Sequence, residues 1–292
     1  MTLARRFGLM ASLLVLSLAT LPAVAADNVL RRGNSAEPES LDPQKITGLS
    51  EANVVRDLFE PLITLDADRH PVPGAAQSWD VTADQKTWTF HLRPDAKWSD
   101  GTPMTAEDWV YSFRRLVDPA TGAAKFDQIR SVVNAEAIAS GREKDLAKLG
   151  IVAVDRNTLR FDLSQPELIL PLLIADVGAD PVPRAAIEKW GAQWTRPGHI
   201  VSNGPYVLES WNPHDKIVLT KNPLFHDAAH VAIDRAEHYP VDDLNRGVKQ
   251  YRAGELDWAG LPKSQLTWAR KELPAELHSG DVLFLWYLFF NM

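Results

Sequence analysis

The sequence predicts a mixed α/β fold of about two domains. Its 292 residues exceed the common size of a single domain, which is roughly 150 residues. Its composition, 45% hydrophobic and 24% charged, is that of an ordinary globular chain. Segments that alternate like β-strands and segments with helical periodicity follow one another along the chain, without an internal repeat. These three observations indicate strands and helices that share one or two cores.

The strand predictions rest on alternating polarity and on turn residues. The side chains of Trp88, Phe90 and Leu92 alternate with polar ones, which is typical of a half-buried strand. The turn residues at 155–157 separate two further apolar segments and predict a hairpin. In chain order, we expect strands at residues 29–33, 62–65, 88–93, 152–154, 159–163, 206–211 and 217–220.

Three helices are predicted from their caps and from helical spacing. The first begins with Ser50 as its N-cap and must end before Pro61. The second follows Thr105, with Asp108 as the acidic member of a capping box. The third opens at Pro183. The first two helices are expected to bury Val54, Val55, Leu58 and Phe59, and Trp109, Phe113 and Leu116, respectively.

Charge and cysteine content exclude several classes of function. The formal net charge is -7, and no basic face suited to a nucleic acid is visible in the sequence. There are no cysteines, which excludes disulfides, thiolate metal sites, a cysteine nucleophile and a lipid-modified N-terminal cysteine. We therefore expect a protein without a nucleic-acid partner and without a lipid anchor.

The first 26 residues have the features of a cleaved export signal. Arg5 and Arg6 precede an apolar run over residues 9–21, and residues 23–25 fit a small-x-small cleavage site. The run is shorter than the ~20 residues that a transmembrane helix needs. We expect cleavage after Ala25 or Ala26 and a mature protein located in the periplasm.

The last residues predict a strand that nothing in the sequence covers. Residues 282–290 are almost entirely apolar, and such a strand is normally buried on both faces. We expect that the sequence is the N-terminal piece of a longer protein. We also expect these 292 residues alone to bind ligand weakly, because a cleft with one wall leaves the ligand half exposed.

The spacing of one pair of histidines resembles that of a metal site. His226 and His230 are four residues apart, and Asp227 follows the first, which resembles the spacing of a zinc-binding helix. Against this interpretation, Pro223 lies upstream, no apolar helical stripe is present and no third ligand is evident. A zinc-dependent hydrolase is kept as the alternative from a different class. Other catalytic motifs are not visible, and the chain is expected not to be an enzyme and to need no cofactor.

Several ordered motifs carry a family resemblance. They are GAAQSW at 74–79, WTFHLR at 88–93, DAKWSDGTP at 95–103 and TAED at 105–108. The likeness extends through SLDP at 40–43, RDLFE at 56–60, PRAAIEK at 183–189, Asn203-Gly204 and GELD at 254–257. This series closely resembles the extracytoplasmic solute-binding proteins of the peptide and nickel family, and especially the oligopeptide binders among them. Members of this family serve ATP-driven (ABC) importers.

The resemblance implies a periplasmic-binding-protein-like, two-lobe α/β architecture with an inserted extra domain. The first lobe would take residues 27–59 and 183–283, and the inserted domain residues 60–182. The second lobe would begin at residues 284–292 and be missing beyond them. In the family, the second lobe carries the acidic partner of the ligand's amino terminus.

The resemblance also implies where a ligand binds. An extended peptide would be held mainly through its main chain, and water-filled pockets would tolerate its side chains. Lobe closure about a hinge would then bury it; periplasmic binding proteins are a standard example of such closure. By position, the expected ligand-binding residues are Thr47, Gly48, Leu49, Lys125, Phe126, Trp258, Ala259 and Gly260.

The leading hypothesis is thus a periplasmic binding component that captures short oligopeptides and delivers them, as a monomer, to a membrane permease. Within the same class, a binder of murein peptides, dipeptides or nickel chelates stays open. An interaction or sensor module descended from a binding protein is a further alternative, suggested by the absent lobe.

Overall fold

Two four-stranded sheets carry the fold of the computed structural model, which describes residues 28–280. The strands are β1 Val29–Asn34, β2 Ile63–Leu65, β3 Pro71–Pro73, β4 Ala76–Val81, β5 Thr87–Leu92, β6 Ile151–Asp155, β7 Thr158–Asp162, β8 Tyr206–Asn212, β9 Lys216–Lys221 and β10 Arg235–Pro240. The helices are α1 Leu49–Leu58, α2 Ala106–Val117, α3 Ala135–Ala139, α4 Leu170–Leu173, α5 Arg184–Trp190, α6 Leu244–Arg252 and α7 Leu266–Glu272. The mixed α/β class is confirmed.

The first sheet joins segments that lie far apart in sequence. Its strand order is β1-β10-β9-β8, with β1 and β10 parallel and the other pairs antiparallel. Trp258 continues the sheet beyond β1, because the Gly33 N–H donates to the Trp258 carbonyl at 2.8 Å and Trp258 forms a parallel bridge with Arg32. The chain therefore returns after α6 to the edge where it began.

The second sheet is antiparallel throughout, in the order β4-β5-β7-β6. As predicted, β5 buries alternate side chains, and Phe90 contacts Phe161 of β7 edge to face at 5.1 Å between ring centroids. Helix α2 covers this face, where Phe113 contacts the same Phe161 ring and Trp109 is fully buried. Aromatic side chains thus form the centre of this core, consistent with the apolar area they remove from water.

The predicted helix ends are only partly confirmed. The capping box of α2 is confirmed, because the Thr105 N–H donates to the Asp108 carboxylate at 2.7 Å. The predicted N-cap of α1 is wrong: Gly48 occupies that position and Ser50 lies inside the helix. Pro183 precedes α5 as its N-cap residue. The expected buried residues of α1 and α2 are all less than 2% exposed.

A short hairpin lies between the two sheets in the sequence. Strand β2 pairs antiparallel with β3, a Pro-Val-Pro segment for which no strand was predicted. Proline is tolerated there because an outer strand of a two-stranded pair does not need every N–H.

The predicted signal peptide (residues 1–26) and the apolar segment at 284–292 lie outside the described residues. Within residues 28–280, no helix combines the length and the apolar character needed to cross a membrane.

Candidate functional site

Residues 47–49, at the start of α1, face solvent. Thr47 is exposed, and the Leu49 side chain is 67% exposed, although it is apolar. A Cβ on Gly48 would lie 2.3 Å from Oε2 of Glu51, whose side chain folds back over the helix start. The glycine therefore makes room for the Glu51 side chain.

The second segment expected to bind ligand, residues 258–260, runs along the edge of the first sheet. Trp258 is 46% exposed, and the guanidinium carbon of Arg32 lies 4.8 Å from the centroid of its indole ring. On the opposite side of β1, Arg31 forms an ion pair with Asp257 at 2.9 Å. These contacts and the backbone bond from Gly33 fix the orientation of the segment.

Leu49 and residues 258–260 meet at a small pocket, which we call the Trp258 pocket. It has a volume of about 180 Å³, and Leu49, Trp258, Ala259 and Gly260 contribute to its wall. Helix α1 also contributes Asn53, one turn after Leu49. Residues more than 200 positions apart in sequence therefore line one concave surface, as expected of a ligand site.

A larger pocket, the α1 pocket, opens on the other side of Leu49. Its volume is about 610 Å³, and its wall includes Arg56, Glu60, Asp176 and Asp180. Apolar side chains complete the wall, among them Phe59, Leu172, Val177 and Phe225. Leu49 is common to both pockets, so they adjoin along one side of α1.

The structure places Lys125 beside this larger pocket, in an ion pair. Lys125 Nζ lies 2.9 Å from Oδ1 of Asp176, and Gln128 Nε2 donates to the same oxygen at 2.7 Å. Burial raises the pKa of Asp176, but the hydrogen bond and charge of Lys125 outweigh it, and the net pKa lies below the usual value. Phe126 is partly buried against the core and does not line either pocket.

The two histidines of the zinc hypothesis do not share a helical face. His226 Nε2 lies 2.9 Å from Oε1 and 3.0 Å from Oε2 of Glu60, whereas His230 pairs with Asp227. Residues 228–230 form a single 3₁₀ turn, so the spacing of four does not align the imidazoles. Among residues 28–280, no group of three or more metal-ligating side chains converges. The predicted helical ligand pair is therefore wrong.

The contact with His226 affects the ionisation of the Glu60 carboxyl. Burial raises the pKa of the Glu60 carboxyl, and the hydrogen bond from His226 partly opposes that effect. The Asn203 side chain brackets the Glu60 backbone, accepting from its N–H at 3.0 Å and donating to its carbonyl at 2.8 Å. Glu60 is thus a fixed part of the wall of the α1 pocket.

Two residues in or next to these pockets, Asp180 and Arg32, carry no functional signal in the sequence. Arg32 was not singled out, although the alternation of β1 implies that Arg31 and Arg32 point to opposite faces. Asp180 gave no signal, because it lies in an irregular stretch without periodicity. Only the tertiary contacts of these two side chains set them apart.

Comparison with known proteins identifies the family of this chain. Residues 70–292 match the family model described as bacterial extracellular solute-binding proteins, family 5 Middle. The chain is 42% identical over 272 residues to the periplasmic oligopeptide-binding protein OppA of Escherichia coli K12. That match covers 92% of this chain and 50% of the relative, so the chain spans about half the length of such relatives.

Solved structures of the same class share the fold. Haemophilus influenzae OppA in complex with the peptide RPPGFSPFR superposes with a TM-score of 0.81 at 39% identity, covering 85% of this chain and 49% of that one. The Escherichia coli murein tripeptide-binding protein MppA gives a TM-score of 0.81 at 38% identity, with coverages of 86% and 49%. The architecture is therefore that of the periplasmic-binding-protein-like structures. On the matched residues and the shared fold, the chain belongs to the bacterial extracellular solute-binding proteins of family 5.

Proposed function

We propose that the protein is the periplasmic substrate-binding component of an ABC importer and captures short oligopeptides. The observation that supports this most is that Leu49 and residues 258–260, which come from two segments expected to bind ligand, line the Trp258 pocket together. A protein of this kind has no reaction to catalyse. The names of its relatives, which include oligopeptide and murein peptide binders, point to the same ligand class.

The proposed binding mode is recognition of the peptide main chain. A ligand strand lying along residues 47–49 and 258–260 would exchange hydrogen bonds with exposed backbone groups, as in strand addition to a sheet edge. Its side chains would point into the two pockets, where bridging waters adapt to different shapes. The proposed contact residues are Thr47, Gly48, Leu49, Lys125, Phe126, Trp258, Ala259 and Gly260. Lys125 would be available only if its ion pair with Asp176 opened.

The domain organisation and the partners belong to the same proposal. Residues 27–59 and 183–283 form the first ligand-binding lobe, and residues 60–182 form the inserted domain. The protein is exported through a signal peptide at residues 1–26, carries no lipid anchor and acts as a monomer that delivers peptides to a membrane permease.

Main-chain recognition predicts a specific pattern of affinities. In titration calorimetry with tri- to pentapeptides, N-methylation of a central amide should weaken binding by up to about tenfold, because one backbone hydrogen bond is lost. Exchanging a neutral side chain at the same position should change the affinity less. Larger effects of the side chain than of the methyl group would contradict main-chain recognition, and binding of nickel without any peptide would contradict the function itself.

Leu49 should contribute to ligand affinity because its exposed side chain lines both pockets. We expect Leu49→Ala to weaken peptide binding by about three- to tenfold through lost apolar contact. Val154→Ala is the matched control, since Val154 is 55% exposed on β6 and lines neither pocket. Equal affinities of the Leu49 variant and the control would remove Leu49 from the site.

A further inference from the structure

Arg32 is held in an unusual position for an arginine of a sheet. It lies in β1, its side chain is partly buried, and its guanidinium stacks over the exposed Trp258 ring at 4.8 Å. Stacking on an aromatic ring fixes the plane of the guanidinium. The group is therefore oriented before any ligand arrives.

Within the described part of the chain, this guanidinium has no anionic partner. No carboxylate lies within ion-pair distance of Arg32, and its Nε, which is buried, makes no hydrogen bond there. Asp57 of α1 acts on Arg32 through its charge, but its carboxylate accepts from His238 Nε2 at 3.0 Å. Leaving a partly buried charge without a hydrogen-bonded partner is costly.

The charges around Arg32 favour an anion rather than a further cation. Burial lowers the pKa of Arg32, the charge of Arg56 lowers it further, and only Asp57 opposes these effects. Paired acids raise the pKa of Arg31, Arg184 and Arg235, whereas the pKa of Arg32 is lowered. An additional negative group at Arg32 would offset both the desolvation of the guanidinium and its repulsion by Arg56.

Arg32 adjoins the Trp258 pocket through Trp258, which lines the pocket and stacks with the Arg32 guanidinium. Arg32 is in register with His238 of β10, so both side chains point to the same face, and His238 contacts α1. Helix α1 contributes Leu49 and Asn53 to that pocket. Arg31 points to the opposite face, where it already binds Asp257.

We propose that Arg32, oriented by Trp258, binds a carboxylate group of the peptide held at the Trp258 pocket. The proposal rests on the peptide-binding function proposed above and adds a residue that determines ligand selectivity. A guanidinium and a carboxylate form two parallel hydrogen bonds in one plane, and the stack on Trp258 presets that plane. The carboxylate comes either from the peptide's C-terminus or from an Asp or Glu side chain.

The test compares peptide acids with the corresponding amides as ligands. It uses the complete protein as its own cell produces it. Titration calorimetry is done with one tripeptide as free acid and as C-terminal amide, and with a second tripeptide carrying Glu or Gln at its centre. The wild-type protein should favour one of the acids over its amide by about tenfold or more, because a charge-assisted bond is lost in the amide. The pair that shows the preference identifies the source of the carboxylate.

The variants are Arg32→Gln, Arg32→Lys and, on the same strand, the control Arg31→Gln. Arg32→Gln should abolish the acid-to-amide preference, Arg32→Lys should retain only part of it, and the control should keep it. The ratio of two affinities does not depend on the fraction of folded protein, so a destabilised variant remains informative. An unchanged ratio in Arg32→Gln, or no preference in the wild type, would overturn the role of Arg32 and leave peptide binding intact. Absence of binding to all four peptides would instead overturn the proposed function, and this inference with it.

Discussion

Replacing Asp42 by alanine is expected to destabilise the protein by about 3–5 kcal/mol, because it leaves a buried guanidinium without its counter-ion. Asp42 lies in the loop before α1 and binds Arg115 of α2 through both oxygens, at 2.6 and 3.1 Å. The two side chains are only 5% and 13% exposed. Trp194 Nε1 approaches the same carboxylate at 3.4 Å. One acid thus joins three segments that are distant in sequence.

The Asp42 network explains why the loss should be large. Gln44 accepts from Arg115 at 2.6 Å and also donates to the Ser112 carbonyl at 2.7 Å, so it can satisfy only part of the guanidinium after Asp42 is removed. The remaining positive charge has little access to water. In the exposed pair Arg31–Asp257, by contrast, both side chains are more than one third exposed.

Urea unfolding followed by tryptophan fluorescence measures the effect. Asp257→Ala is the control for loss of an ion pair at the surface and should cost less than about 1 kcal/mol. The double variant Asp42→Ala/Arg115→Met should regain stability relative to Asp42→Ala, because the uncompensated charge is removed together with the acid. A cost for Asp42→Ala no larger than that of the control would show that the buried pair does not hold these segments together.

Local patterns were sufficient to predict much of the fold. The alternation in β5, the hairpin of β6 and β7, and the capping box of α2 depend on residues close in sequence, and all three are confirmed. The start of α1 was misplaced because Gly48 is required by the Glu51 side chain, which no local rule for N-caps anticipates. Strand β3 was missed because its pairing with β2 overrides the low strand propensity of proline.

The candidate site was predictable only in outline. Sequence resemblance placed residues 47–49 and 258–260 in the ligand site, and in the structure Leu49 and residues 258–260 line one pocket. The sequence resemblance gave no indication that Lys125 forms an ion pair with Asp176, or that Arg32 stacks on Trp258. Such contacts join residues 51 to 226 positions apart, and a single sequence does not contain the geometry that pairs them.

Asp180 should make the protein less stable at neutral pH than it would be with a neutral side chain. The residue is 1% exposed, and neither carboxylate oxygen has a hydrogen-bond partner among residues 28–280. Burial raises the pKa of this carboxyl well above its usual 3.8, the charges of Asp176 and Glu60 add to the effect, and those of Arg56 and Lys125 oppose it. The folded state therefore favours the protonated form.

The sign of the pH dependence follows from this raised pKa. A carboxyl whose pKa is higher in the folded state contributes stability below its unfolded pKa, near 3.8, and loses that contribution as pH rises through the folded value. Asp180→Asn removes the charge with little change in volume. We expect the variant to be more stable than the wild type at pH 8 by about 1–3 kcal/mol, the cost of an unpaired buried polar or charged group. The difference should shrink as the pH is lowered towards 4.

Asp243 provides a control, because its pKa is shifted in the opposite direction to that of Asp180. The Asp243 carboxylate accepts from the Asn245 N–H at 2.8 Å at the start of α6, and this hydrogen bond lowers the pKa of Asp243. Asp243→Asn should therefore lose stability at pH 8, and its deficit should disappear on acidification. Urea unfolding of the wild type and both variants at intervals from pH 8 down to about pH 2 tests the two trends together, because the Asp243 deficit shrinks only below the unfolded pKa near 3.8. If Asp180→Asn were less stable than the wild type at pH 8, or if its difference did not change with pH, the Asp180 carboxylate would have to be stabilised by a cation in the folded protein.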